Sequence, residues 1–202
     1  MQQKPARIRI LDAAHELMTT LGLARVTTKE IARTAGCSEA ALYKYFASKE
    51  ELFVDVLRER LGPLLERLTA EPGERGVEEN LTEIARRAAL FYEQSFPIAA
   101  SLYAEPQLKR RHEQAMREMG SGPHIPIQGL DAYLRAEQRA GRIHPSADTF
   151  AAASLFLGAC AERAFAYDAT EEARPPLDTF APAFARTLLR GISPEAGPPE
   201  AS

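Results

Sequence analysis

The sequence predicts an all-α protein with a small N-terminal helix-turn-helix head and a larger body built as a helical bundle. Apolar residues recur at helical spacing in one segment after another, and no segment shows sustained alternation of apolar and polar residues. Two short helical patterns also flank the break Ala35-Gly36-Cys37-Ser38. Two helices joined by a glycine-containing turn are typical of a unit whose second helix enters the DNA major groove.

The first helix of the head is predicted over residues 5–21. Pro5 suits the first turn of a helix, and Gly22 suits its end. Arg7 and Arg9 lie near the start of this helix, where we expect them within reach of a phosphate. The apolar stripe that braces the next two helices is predicted to be Ile10, Ala13, Ala14, Leu17 and Leu21.

The next two helices have clear start and stop signals. Thr27 and Glu30 have the spacing of a capping box, in which each side chain bonds the backbone of the other residue. Gly36 follows the first of these helices, at a position where a left-handed backbone is favoured. Ser38 is a natural N-cap for the second, which we predict over residues 38–46 with Ala41, Leu42, Tyr45 and Phe46 on its apolar side.

The body begins with a long helical pattern over residues 49–68. Gly62-Pro63 interrupts it, which indicates either a kinked helix or the end of one helix and the start of another. Pro97 and Pro106 are expected to bracket a short separate segment. The segment 150–167 is so apolar that it must be covered on more than one side, and a last amphipathic helix follows over 177–189.

We therefore predict three regions. They are a DNA-binding domain over 1–48, a ligand-binding and dimerisation domain over 49–193, and a disordered tail over 194–202, which is rich in proline and glycine.

Composition narrows the class of protein. The 202 residues contain two cysteines and no apolar run long enough for a membrane span or a secretion signal, so we expect a cytoplasmic protein without disulfides. Residues 1–49 carry eight lysines and arginines against four acidic residues, a net +4, and the total of −3 leaves −7 for the rest. A basic head on an acidic body fits a chain whose head alone meets phosphate, although scattered surface charge gives the same totals.

The stretch TTKEIARTAGCSEAALYKYFASKEEL resembles the DNA-binding signature of the TetR family of one-component repressors. The threonine cap, the Ile-Ala pair, the Ala-Gly turn before Ser38, the Leu-Tyr pair, the following phenylalanine and the lysine before leucine all match. RAEQRAGRIHPSADTFAAASLFLGACAERAF is similar to the C-terminal half of such regulators. The resemblance implies a dimer that binds a palindromic DNA operator.

The resemblance also implies the residues that meet DNA. Thr28 and Lys29, at the start of the supporting helix, are expected to touch phosphate, as are Tyr45 and Lys49. The exposed side of the recognition helix is expected to carry the remaining contacts, Ser38, Glu39, Ala40, Tyr43 and Lys44. Lysine can donate to guanine, and alanine can pack on a thymine methyl group.

Two of these residues have alternative interpretations. Glu39 departs from the glycine, lysine or arginine common at its position in the family. It either accepts a hydrogen bond from a cytosine amino group or is only a first-turn charge on the helix dipole. Tyr43 lies off the apolar stripe, which favours DNA contact, but core packing is the alternative. For Phe46 we expect core packing.

Motifs of catalysis and metal binding do not occur. The four histidines form no H-E-x-x-H motif and no Cys-His pairing at metal spacing, and the chain has no glycine-rich phosphate loop. We therefore predict no enzyme activity, no cofactor and no metal site.

The body is expected to hold a small apolar or aromatic effector that releases the DNA. Bundle interiors are common ligand sites. Candidate pocket residues, for each of which ordinary core packing is the alternative, are Phe91, Tyr92, Phe96, Tyr103, Phe156 and Arg163. The dimer is expected to form through the last two helices, with Leu157, Ala161, Phe180, Phe184 and Leu188 at the interface. The competing class is a helical ligand-binding or interaction protein that keeps the head only as a fold element.

Overall fold

A computed structural model describes residues 4–68, 76–168 and 171–192. The predicted fold class is confirmed, because these residues form nine α-helices and a short 3-10 helix over Glu171–Ala173, with no strand among them. The helices are α1 (Ala6–Leu21), α2 (Thr28–Thr34), α3 (Glu39–Leu42), α4 (Lys49–Leu68), α5 (Val77–Ala104), α6 (Pro106–Glu118), α7 (Ile125–Arg139), α8 (Thr149–Ala166) and α9 (Leu177–Ile192). The predicted disordered tail, 194–202, lies outside the described residues.

Two compact units make up the chain. The first unit comprises Met1–Gly62 and Gln94–Gly122, and the second comprises Pro63–Glu93 and Pro123–Ser202. Both α4 and α5 therefore pass from one unit to the other. The predicted boundary between a DNA-binding domain and a ligand-binding domain at residue 48 stays a prediction. The first compact unit extends beyond it and includes most of α4 and all of α6 together with α1, α2 and α3.

The core of the first unit joins α1, α2 and α3 to parts of α4 and α5. Its members include Ile10, Met18, Phe46, Phe53 and Ile98, all fully buried. The apolar stripe of α1 differs from the predicted one at its end, where Leu21 is largely exposed and Met18 is buried instead. Helical spacing still places Leu21 on the same side of α1 as Ile10, so its exposure comes from its position as the last residue of the helix and not from the helical period.

The turn between α2 and α3 has the predicted geometry. Gly36 adopts a left-handed backbone with φ of 67°, which glycine takes without the steric cost of a side chain. The Cys37 amide donates to the Ala32 carbonyl at 2.9 Å and closes the end of α2. The recognition helix is shorter than predicted. Regular α-helix ends at Leu42, and residues 43–45 continue as a turn that brings Phe46 into the core.

Pro63 and Pro97 both lie inside helices, which selects the continuous-helix alternative at Pro63 and contradicts the prediction at Pro97. Pro63 is within α4, so one helix spans Lys49–Leu68 and no second helix begins at Gly62. Pro97 is within α5, and the separate short segment predicted between Pro97 and Pro106 does not exist. Each proline removes one backbone donor from its helix, and packing of the surrounding apolar residues outweighs that loss.

The second unit has a core in which a few polar groups are paired. The Asn80 side-chain amide donates to the Tyr133 hydroxyl at 3.1 Å, and both residues are buried. The Glu137 carboxylate is fully buried and pairs with Arg142 Nε at 2.5 Å. Phe184 of α9 stacks on Phe156 of α8, with ring centroids 4.8 Å apart. The two polar pairs offset part of the cost of burying these groups, although Oε1 of Glu137 has no hydrogen-bond partner.

No helix in the described parts of the chain combines the length and the apolar character needed to cross a membrane.

Candidate nucleic-acid interface

The start of α2 is fixed by a capping box between Thr27 and Glu30. The Thr27 hydroxyl accepts from the Glu30 amide at 3.2 Å, and the Glu30 carboxylate accepts from the Thr27 amide at 3.0 Å. The hydrogen bond from the Thr27 side chain, with that from its backbone, lowers the pKa of Glu30. The first turn of α2 is thereby held in place, with Thr28 half-buried and Lys29 exposed.

A second cap orients α3. The Ser38 hydroxyl accepts from the Ala41 amide at 3.1 Å, so this predicted DNA contact is also the N-cap of the helix. Leu42 is buried beneath the helix, and Ala40 and Lys44 are exposed. The short helix is thus anchored on one side and open on the other.

The aromatic residues around the end of α3 divide between the core and the surface. Phe46 is buried, which confirms that it packs in the core. Tyr43 and Tyr45 are 48% and 47% exposed. For Tyr43 the core alternative is thereby disfavoured, and the DNA contacts of both tyrosines stay predictions.

Three side chains form a chain of hydrogen bonds across the helix-turn-helix. The Thr28 hydroxyl of α2 donates to the Glu39 carboxylate of α3 at 2.5 Å. The Tyr43 hydroxyl lies 3.4 Å from the Thr28 hydroxyl, to which it donates. Glu39 begins α3 and Tyr43 directly follows its last residue, so Thr28 of α2 bonds a side chain at each end of α3. Spacing within one helix does not reveal a partner on another helix, so these hydrogen bonds could not be predicted from the sequence.

Lysines lie on the same region of the first unit. Lys44 is exposed, whereas Lys49, at the start of α4, is half-buried with its ammonium 5.2 Å from the centroid of the Phe53 ring. Burial lowers the pKa of Lys49, although the nearby carboxylates of Glu50 and Glu30 oppose the effect. The half-buried Lys49 side chain is therefore positioned by its contact with the Phe53 ring, and its ammonium group lies near the start of α4.

The arginines of α1 take part in contacts within the first unit. Arg7 Nη2 lies 2.7 Å from the Asp55 carboxylate, and its guanidinium is 5.5 Å from the centroid of the Phe46 ring. Arg9 Nε donates to the Ala35 carbonyl at 3.2 Å. Both arginines were expected within reach of a phosphate. In the structure Arg7 links α1 to α4, and Arg9 links α1 to the end of α2.

The predicted pocket residues lie in different surroundings. Phe91 and Tyr92 are half-buried with ring centroids 5.2 Å apart, and burial raises the pKa of Tyr92 to about 12. Phe156 is fully buried. Phe96 is half-buried in the first unit, and Tyr103 is 74% exposed there, with Lys109 Nζ 5.2 Å from its ring centroid. The assignment of these residues to a pocket stays a prediction.

Arg163, another predicted pocket residue, is buried in an ion-pair cluster of the second unit. Its guanidinium pairs with Glu93, and the same carboxylate lies 3.3 Å from Arg174. Arg163 also donates to the Pro175 carbonyl, at 2.6 Å from Nη2, and its Cζ lies 5.3 Å from the centroid of the Phe180 ring. The cluster thereby ties α5 and α8 to the segment before α9.

The predicted interface residues of α8 and α9 are buried or half-buried within the chain. Leu157 is fully buried, and the half-buried members are Ala161, Phe180, Phe184 and Leu188. Leu155 and Phe165 of α8 are 70% and 65% exposed. The sequence could not separate the two sides of this helix, since it is apolar almost all round.

Comparison with known proteins gives a match to the head. Residues 10–56 match the family described as bacterial regulatory proteins, tetR family. The chain is 27% identical over 165 residues to a fatty acid metabolism regulator protein of Bacillus subtilis, covering 78% of this chain and 80% of that protein. It is 34% identical over 117 residues to the HTH-type transcriptional regulator BetI of Rhizobium meliloti, covering 55% of each chain.

Two solved structures share the fold over nearly the whole chain. Salmonella enterica GusR superposes with a TM-score of 0.71 at 24% identity, over 95% of this chain and 96% of that one. Bacillus subtilis FadR in complex with stearoyl-CoA superposes with a TM-score of 0.69 at 20% identity, over 92% and 98%.

Proposed function

Because this chain belongs to the TetR family of bacterial regulatory proteins, we propose that it is a ligand-responsive transcriptional repressor acting in the cytoplasm. It binds a palindromic operator as a homodimer and is released by a small apolar or aromatic effector. The observation that carries the proposal is the open side of α3, where Ala40, Tyr43 and Lys44 are exposed above the buried Leu42.

The contacts with DNA follow from this geometry. The open side of α3 enters the major groove, where Lys44 and Ala40 meet base edges. Exposed or half-buried polar groups flank it, and four of them contact the phosphates on either side through their side chains: Lys29, Ser38, Tyr45 and Lys49. The hydroxyl protons of Thr28 and Tyr43 are already donated within the protein, so Thr28 meets phosphate through its backbone amide. Phosphate contacts set the register of the protein on the duplex, and base contacts set the preferred sequence.

Dimerisation supplies the second recognition helix. Leu155 and Phe165 are large apolar residues on the surface of α8, and a second copy of the chain would remove them from water. Half-buried residues of α9, among them Phe180 and Leu188, would extend the same interface. Two identical heads then meet two half-sites that are whole helical turns apart.

The effector binds in the body and favours the state that does not fit the operator. The FadR structure with stearoyl-CoA supports a molecule with a long acyl chain as the first to test. To shift the population from 1:99 to 99:1, the effector must prefer that state by about 5.5 kcal/mol. A weaker preference would reduce repression without abolishing it.

The test is operator binding by wild-type protein and two lysine variants. A labelled duplex from DNA upstream of the gene, or one selected from a random library, is titrated with protein at several salt concentrations. Lys44→Ala and Lys49→Ala are expected to weaken binding about tenfold or more and to reduce the salt dependence when a phosphate contact is lost. Arg139→Ala, an exposed charge deletion in α7 of the second unit, is the matched control and should bind like wild type.

The outcomes separate the proposed function from its alternative. Unchanged affinity of both lysine variants would contradict the assigned face of α3. A wild-type protein that binds no duplex, but binds an acyl compound, would instead favour a helical ligand-binding protein that keeps the head as a fold element.

A further inference from the structure

Glu39 is the one acidic residue on the predicted DNA face, and its carboxylate is held in a defined position. Its Oε1 accepts the Thr28 hydroxyl at 2.5 Å. Its other oxygen accepts no hydrogen bond from any residue in 4–68, 76–168 or 171–192. Thr28 in turn accepts from Tyr43, and hydrogen bonds in a chain strengthen one another. One carboxylate oxygen is therefore restrained, and one is available to a donor outside the protein.

The charge of Glu39 and its neighbours determine which part of DNA its available oxygen can contact. A phosphate would be repelled, because two negative charges a few ångströms apart cost free energy even near water. The neighbours of Glu39 on the open side of α3, Ala40, Tyr43 and Lys44, are the residues expected to face base edges and their flanks. A carboxylate held among them meets the base edges when α3 enters the groove.

Only two base groups in the major groove donate hydrogen bonds. Guanine and thymine present acceptors, which repel a carboxylate, and adenine presents its N6 amino group beside the acceptor N7. Cytosine presents its N4 amino donor with no adjacent acceptor on the same base. An ionised carboxylate is an acceptor only, so cytosine is its best partner.

We infer that Glu39 reads one cytosine in each half-site of the operator, through the oxygen that Thr28 leaves available. Thr28 and Tyr43 act as positioning residues that hold the carboxylate in one orientation. The inference rests on the proposed function, since it requires α3 to lie in the major groove. A well-placed contact of this kind corresponds to a preference for the correct base of about tenfold to a hundredfold.

The experiment compares the base preferences of wild-type protein and Glu39 variants. Duplexes bound from a random library are sequenced, and each base of the preferred site is then varied in competition assays. Wild type is expected to show a cytosine preference at two symmetric positions. Glu39→Ala should lose that preference, and Glu39→Gln should shift it toward adenine, since a glutamine amide matches adenine N6 and N7.

Two further variants test the positioning and the charge. Thr28→Val removes the hydroxyl that restrains Glu39, so it should weaken the cytosine preference by about threefold or more, less than Glu39→Ala does. Glu16→Gln removes an exposed carboxylate of α1 and should leave every base preference unchanged. Circular dichroism checks that each variant is folded. If Glu39→Ala does not fold, the base preference of Glu39→Gln tests the inference by itself.

The possible results are distinct. Loss of the cytosine preference in the Glu39 variants, at the two symmetric positions alone, supports the inference. Unchanged base preferences with tighter overall binding would overturn it, because Glu39 would then act only by repelling phosphate. A wild-type protein that binds no duplex would overturn the proposed function as well.

Discussion

The guanidinium of Arg7 lies 2.7 Å from the carboxylate of Asp55, which links the start of α1 to the middle of α4. Asp55 is mostly buried and also lies 3.6 Å from Arg58 on its own helix. Arg7 covers the ring of Phe46 at the same time. The Arg7 side chain therefore connects α1 to Phe46, which follows the turn after α3, and to Asp55 of α4.

Asp55→Asn should lower the free energy of unfolding by about 0.5–1 kcal/mol, since Arg7 is partly exposed and water screens the pair. Urea unfolding followed by circular dichroism measures the change. Arg58→Ala should be close to neutral, because that arginine is half exposed and farther from the carboxylate. Equal effects of the two substitutions would show that the link from α1 to α4 contributes nothing specific.

Arg142→Ala should destabilise the second unit by about 1–3 kcal/mol, because it removes the partner of the buried Glu137 carboxylate while water screens the partly exposed arginine. Adding Glu137→Gln to that variant should recover most of the loss, since a neutral amide costs less to bury. Arg139→Ala, an exposed charge deletion on the helix that carries Glu137, is the control. The measurement is again urea unfolding, and a double variant no more stable than Arg142→Ala would contradict the explanation.

Histidine burial makes the first unit sensitive to acid. His112 is buried, and burial lowers its pKa more strongly than the carboxylates of Glu113 and Glu50 raise it. Below the ordinary pKa of about 6.5, the unfolded chain binds a proton that the folded chain refuses, so stability falls as pH falls through that value. The loss stops growing once the pH is below the lowered pKa of the folded state.

His112→Gln should therefore reduce the fall in unfolding free energy between about pH 7.5 and pH 5.5. His124→Gln removes an exposed histidine and is the control. Some slope should remain in His112→Gln, because burial and Arg60 also lower the pKa of His15. An identical pH dependence in wild type and His112→Gln would exclude His112 as its source.

Leu155→Asp combined with Phe165→Asp should convert a dimer into a folded monomer, because both side chains are exposed on α8 and their charge would have to be buried at an interface. Light scattering at micromolar concentration should then give the mass of one chain, and twice that mass for wild type. Tyr103→Asp, at an exposed aromatic of the first unit, should leave the mass unchanged. A double variant with the wild-type mass would place the interface elsewhere.

The local features of the head could be predicted from sequence because they depend on neighbours in the chain. Thr27 and Glu30 cap each other three residues apart, and Gly36 takes the backbone that only glycine adopts at low cost. The bond between Thr28 and Glu39 joins two helices and depends on tertiary packing. No periodicity in either helix contains that information.

Pro97 gave the clearest failure of prediction in the body, whereas at Pro63 a continuous helix was one of two alternatives. Pro63 and Pro97 are strong local signals for the end of a helix, yet α4 and α5 continue through them. Buried residues on both sides of each proline, such as Leu61 and Leu64 in α4, supply the packing that keeps the helix intact. Local preference decides a boundary only where tertiary contacts are weak.

The prolines have a mechanical consequence. Pro63 directly follows the point at which α4 leaves the first unit, and Pro97 comes soon after α5 enters it. Each ring nitrogen cannot donate to the carbonyl one turn back, so a rung of the helical ladder is missing beside each crossing. We therefore expect α4 and α5 to bend more easily beside these two prolines than elsewhere along their length.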